Sequence, residues 1–103
     1  MEKLIGETLQ IAKEKFSAFG FTDPQINKLL ESGRNDLEKE ITKLTILIEN
    51  RDPDIKQINQ SLHALKGLLY NMGNTVAGDI MNDLKNDTDT PERISKILQV
   101  IKS

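Results

Sequence analysis

Apolar residues recur every three or four positions along almost the whole of this 103-residue chain, and no stretch alternates apolar and polar side chains as a half-buried strand would. That period limits the regular structure to helices with one buried stripe each. Over residues 2–19 the stripe is Ile5, Leu9, Ala12, Phe16 and Phe19, and Gly20 supplies a left-handed stop. Thr22-Asp23-Pro24 predicts a new start, with Asp23 as cap and Pro24 at the first helical position. The short helix that follows carries Ile26, Leu29 and Leu30 and is expected to end at Gly33. A helix over about 35–50 would bury Leu37, Ile41, Leu44 and Ile48, opened by Asn35 and Glu38 at capping-box spacing. Asp52-Pro53-Asp54 breaks the chain before a helix over about 53–72, whose stripe is Ile58, Leu62, Leu65, Leu69 and Met72, with Gly73 as its stop. Val76, Ile80 and Leu84 mark a helix over about 75–86. Asn86-Asp87-Thr88-Asp89 forms a polar turn, and Thr90-Pro91 opens a last helix with Ile94, Ile97, Leu98 and Ile101.

The four later helices are similar in length and joined by short connections, which force neighbours to run antiparallel. The expected fold is therefore all-α: an up-down four-helix bundle over 33–103, with additional N-terminal helices over 1–32 covering one end or side. Residues 1–103 read as a single domain.

Composition narrows the chemistry. There is no cysteine, which excludes disulfides, thiolate metal sites and cysteine nucleophiles. The formal net charge is −2, and no segment combines Lys/Arg density with stacking aromatics, so no nucleic-acid partner is expected. No apolar run approaches the roughly 20 residues that span a bilayer. The opening Met1-Glu2-Lys3-Leu4 has no apolar signal core, and the expected location is cytoplasmic. No Walker-type loop or kinase signature is present, so phosphorylation from ATP is not expected of this chain itself. Asp79 and Asp83 read as a solvated face. Asp87-Thr88-Asp89 lacks the glycine and terminal glutamate of a calcium loop, and no bound cofactor or metal is expected.

One cluster stands apart. His63, the only histidine, is followed by Lys66, Gly67 and Gly73. At 100° per residue His63 lies well over 90° from the centre of its helix's apolar stripe, in a sector shared with Asn59, Lys66, Gly67, Tyr70 and Asn74. An exposed imidazole is expected, and a neutral imidazole near pH 7 has one ring nitrogen free as a nucleophile. Lys66, one turn on, would either screen an incoming anion or be a solvated surface lysine. Glycine inside a helix costs up to about 1 kcal/mol relative to alanine, so Gly67 needs a reason. It either gives clearance beside His63 or admits a neighbouring helix.

His63-Ala64-Leu65-Lys66-Gly67 with Gly73, set in a helical layout over about 33–102, closely resembles the signature of histidine-containing phosphotransfer (HPt) domains. The resemblance implies that His63 is the phosphoacceptor through Nε2, Lys66 the charge partner and Gly67 the clearance residue. It implies a response-regulator receiver domain or a hybrid histidine kinase as partner, with the receiver supplying Mg²⁺ and the aspartate, and a monomeric carrier. The chain departs from the family where small residues are usual: Leu68, Leu69 and Tyr70 are bulky here. Tyr70 would shield the site, touch a partner or the phosphoryl group, or simply sit at the bundle edge. Many family members orient the imidazole through a glutamine or glutamate where this chain has Lys85, and an ammonium cannot accept a hydrogen bond from Nδ1–H. Lys85 would hold phosphate or be solvated, and Asn82 is an alternative orienting group or a plain surface amide. Ile46, opposite its core stripe, is expected under the N-terminal helices, with exposure to a partner as the other reading. Two other functions remain open: the phosphoacceptor domain of a chemotaxis-type kinase, against which Lys85 counts, and a helical adaptor that binds through the same face without phosphotransfer.

Overall fold

A computed structural model describes residues 2–86 and 90–102, with the backbone alone at 90 and 91. Among them are five helices and no strand: α1 (Glu2–Ala18), α2 (Asp23–Glu49), α3 (Ile55–Asn71), α4 (Thr75–Asn86) and α5 (Thr90–Ile101). The polar turn expected at Asp87-Thr88-Asp89 lies outside the described residues.

Local chemistry sets each boundary. Gly20 adopts φ +85°, with Phe21 N–H bonded to the Phe16 carbonyl at 3.2 Å and Gly20 N–H to that of Ser17 at 3.0 Å. This is a Schellman stop, and the Phe16 and Phe21 rings meet edge to face at 5.9 Å across it. The cap of α2 is Thr22 rather than Asp23, which becomes the first helical residue; the Gln25 side chain accepts from Thr22 N–H at 2.9 Å. Asp54 caps α3 by accepting from the N–H groups of Lys56 and Gln57 at 3.0 and 3.3 Å.

The largest departure from the sequence expectation is α2. It runs unbroken through Gly33 for 27 residues, about 40 Å at helical rise, in a molecule 46 Å long. Gly33 does not end a helix; it is a close-approach point. A Cβ there would stand 2.5 Å from Met72 Cε and 3.0 Å from Sδ. The boundary expected near residue 33 therefore falls within a helix. Asn35 and Glu38 form no cap; Glu38 instead pairs with Arg34 one turn back, at 3.3 Å.

Helix α1 packs on α2, α2 on α3 and α3 on α4, while α5 lies against α2 and α4. Gly33 faces Met72, and Ser61 Oγ donates to Glu40 at 2.8 Å, so α2 and α3 run antiparallel. Tyr70 lies on Gly78 and Lys66 reaches Asn82, so α3 and α4 do too. The core is most of the expected set from α2, α3 and α5: Ile26, Leu37, Ile41, Leu44, Ile48, Ile58, Leu62, Leu65, Leu69, Met72, Ile97 and Ile101 are buried, whereas Leu30, Ile94 and Leu98 are half-buried and Leu29, on the first turns of α2, is exposed. Each fully buried Leu or Ile stabilises the fold by about 1.5–3 kcal/mol.

Two other stripes are corrected. Phe19, just past the end of α1, is 71% exposed. On α4 the buried residues are Ala77, Gly78, Met81 and Leu84, whereas Val76 and Ile80 face outward. The cause is the connection. Gly73 (φ +87°) closes α3 with a second Schellman stop, Asn74 N–H reaching the Leu69 carbonyl at 2.9 Å. Asn74 then caps α4 at once, accepting from Ala77 N–H at 3.1 Å and donating to Thr8 of α1 at 2.8 Å. Asn74 is buried, not part of the exposed His63 sector. This turn fixes the phase of α4 and brings its small residues onto α3.

Candidate functional site

His63 sits mid-way along α3 with its side chain exposed, and no hydrogen bond or ion pair to another described residue holds the imidazole. The backbone under it is firm, because Leu62 on the next position and Leu65 half a turn on are fully buried. An accessible nucleophile therefore stands on a helix that the core fixes in place.

The two flanks of the imidazole differ. Toward α2, Gly67 opens the surface: a Cβ there would meet no heavy atom within 4 Å. Ala64, Gly67, Leu68 and Asn71 line a shallow basin with Asp36, Lys39 and Glu40 of α2. Helix packing does not explain this glycine, in contrast to Gly33 and Gly78. Gly6 on α1 is open in the same way, so openness alone assigns no role. Gly67→Ala is expected to raise stability by about 0.5–1 kcal/mol through helix propensity. Urea unfolding measures it, and a loss of stability would expose a packing role instead.

Toward α4, His63 shares an open hollow of about 640 Å³ with Ile55, Lys56, Asn59, Gln60 and Lys85. Lys66 leans the same way, its ammonium donating to Asn82 Oδ1 at 3.4 Å. Asn82 is thus occupied by Lys66 and does not orient the imidazole. Asn59 accepts a hydrogen bond from Arg93, a nearly buried cation of α5. Sequence periodicity missed Arg93, Lys56 and Gln60, because only packing shows which residues of α3 and α5 surround the histidine.

Tyr70 belongs to the structure rather than to the open site. Its ring lies on Gly78, where a Cβ would come within 2.3 Å of Cε1, and its hydroxyl donates to Asp79. That bond, with desolvation and the negative charges of Asp79 and Asp83, raises the phenol above its ordinary value of 10.0. The fold favours the neutral phenol. Its support is therefore complete below the unfolded value near 10 and is lost as pH rises through the higher folded value. Asp79→Ala is expected to lower the ionisation midpoint. Tyr70 is the only tyrosine and there is no tryptophan, so phenolate absorbance in an alkaline titration reports it alone. An unmoved midpoint would contradict the Asp79 bond.

Ile46 is 65% exposed, which corrects the expectation that the N-terminal helices cover it. Among the described residues no three His, Cys, Asp or Glu side chains are grouped to hold a metal ion, and no helix is long and apolar enough to cross a membrane. Compared with protein-family models, with curated proteins and with solved structures, the chain gives no match in any of the three.

Proposed function

We propose that this chain is a histidine phosphocarrier. His63 accepts a phosphoryl group from the aspartyl phosphate of a response-regulator receiver domain and passes it on to another. In each direction the bond at phosphorus to the donor breaks as the bond to the acceptor forms, and the receiver holds the Mg²⁺ that offsets the charge. The observation that carries the reading is the unheld, exposed imidazole on a core-anchored helix, with Gly67 open on one side and lysines on the other. In this reading the C-terminal part of α2 joins α3, α4 and α5 as an antiparallel four-helix bundle, and the carrier acts as a cytoplasmic monomer. Exposed Ile46 supports the outer face of α2 as the second half of the receiver's docking surface.

The test is transfer from a panel of phosphorylated receiver domains with Mg²⁺ present. Acid-labile, alkali-stable label on the chain, donated by at least one receiver, is the expected result. Stable binding of a receiver or kinase with no label from any donor would replace this reading with that of an adaptor.

A further inference from the structure

We propose that Lys85 is the principal cation for a phosphoryl group on His63, and that the hollow between α3 and α4 is a phosphate-binding site. The inference rests on the phosphocarrier reading for its biological ligand, but the oxyanion chemistry of the hollow stands separately. Lys85 comes from a different helix than His63 and lines the same hollow, with Lys56 two turns before His63 on α3. Among the described residues no carboxylate lines the hollow and no salt bridge engages either lysine. Asn59, on the polar wall of the hollow, is held by Arg93, only 4% exposed.

Lys66 is placed less well. Its ammonium is drawn to Asn82 and must leave that amide to meet a phosphoryl oxygen. Lys85 has no such tie to another described residue. Being half-buried, it has part of its stem already ordered against the helices. Charge-assisted hydrogen bonds from an ammonium to phosphoryl oxygens are stronger than neutral ones, and least screened in a partly enclosed hollow. Lys85 would therefore hold the dianionic group after transfer and slow its loss to water.

Phosphoramidate tests this without a partner protein. The imidazole lone pair forms a new P–N bond as that of protonated phosphoramidate breaks, and ammonia leaves neutral. Phosphorus NMR follows the rate of formation and the half-life of phosphohistidine in the wild type, Lys85→Gln, Lys85→Arg and Lys66→Gln. Lys85→Gln is expected to shorten the half-life about three- to tenfold, Lys85→Arg to restore it, and Lys66→Gln to have the smaller effect. A separate titration with inorganic phosphate, read on the His63 ring signals, is expected to saturate in the wild type and to weaken by a similar factor in Lys85→Gln. A wild type that takes the phosphoryl group but loses it at the same rate in Lys85→Gln overturns the role of Lys85 and leaves the carrier reading intact. A wild type that binds phosphate at the hollow through Lys85, yet forms no phosphohistidine from phosphoramidate or from any phosphorylated receiver, overturns the carrier reading and leaves the site. Failure to saturate with phosphate overturns the site.

Discussion

His63→Gln is expected to abolish acid-labile phosphoryl incorporation from every donor that labels the wild type, while leaving the fold in place. Glutamine keeps a polar side chain at an exposed position, so its effect on stability should stay within about 0.5 kcal/mol. It removes the imidazole lone pair, however, and an amide nitrogen does not replace that nucleophile. His63 is the only histidine, so no second imidazole can mask the loss. The measurement pairs label incorporation with the urea midpoint of the same preparation. Label retained at an unchanged midpoint would move the acceptor to another residue type and end the proposal for His63.

Leu65→Ala is expected to have the largest effect on stability, a loss of about 2–5 kcal/mol. Leu65 is fully buried within the stripe of α3, the helix packed between α2 and α4. Deleting its isobutyl end leaves a void that the stripes of two antiparallel neighbours cannot close together. A domain of this size is typically stable by about 5–15 kcal/mol, so the variant would sit near its unfolding threshold at elevated temperature. Denaturant unfolding checks this, and a loss below about 1 kcal/mol would mean that Leu65 is not at the centre of the core. Since His63 lies two positions away on the same rigid turn, the variant should lose phosphoryl acceptance only where it loses folded protein.

Periodicity was a sound guide wherever large aliphatic side chains carried the burial. The stripe of α2 from Leu37 to Ile48, the stripe of α3, the outward position of His63 and the stops at Gly20 and Gly73 all follow from residue spacing. It failed where small residues or tertiary partners decide. Gly33 looks like a stop, but a glycine within a helix is indistinguishable in sequence from one at its end; the Met72 thioether packed on it belongs to another helix. Val76 and Ile80 attracted the assignment of the buried face of α4, while the true face joins Leu84 and Met81 to Ala77 and Gly78, two residues too small to stand out in the pattern. Around His63 the motif residues on α3 were legible because one helix carries them. On α4, Lys85 and Asn82 were reached through the family resemblance rather than through spacing, and the contact of Asn82 with Lys66 and the position of Arg93 behind Asn59 were not legible, because they depend on the rotation of neighbouring helices.

That rotation is set within the three residues between α3 and α4, where a helix stop and a helix cap share the backbone of Gly73 and Asn74. One residue more or fewer here would turn α4 by about 100°. Ala77 and Met81 would leave the core, and Lys85 would swing away from the imidazole. Descendants of this chain are therefore free to vary the surface of both helices, but an insertion or deletion in this short joint would cost them the core and the hollow in a single event.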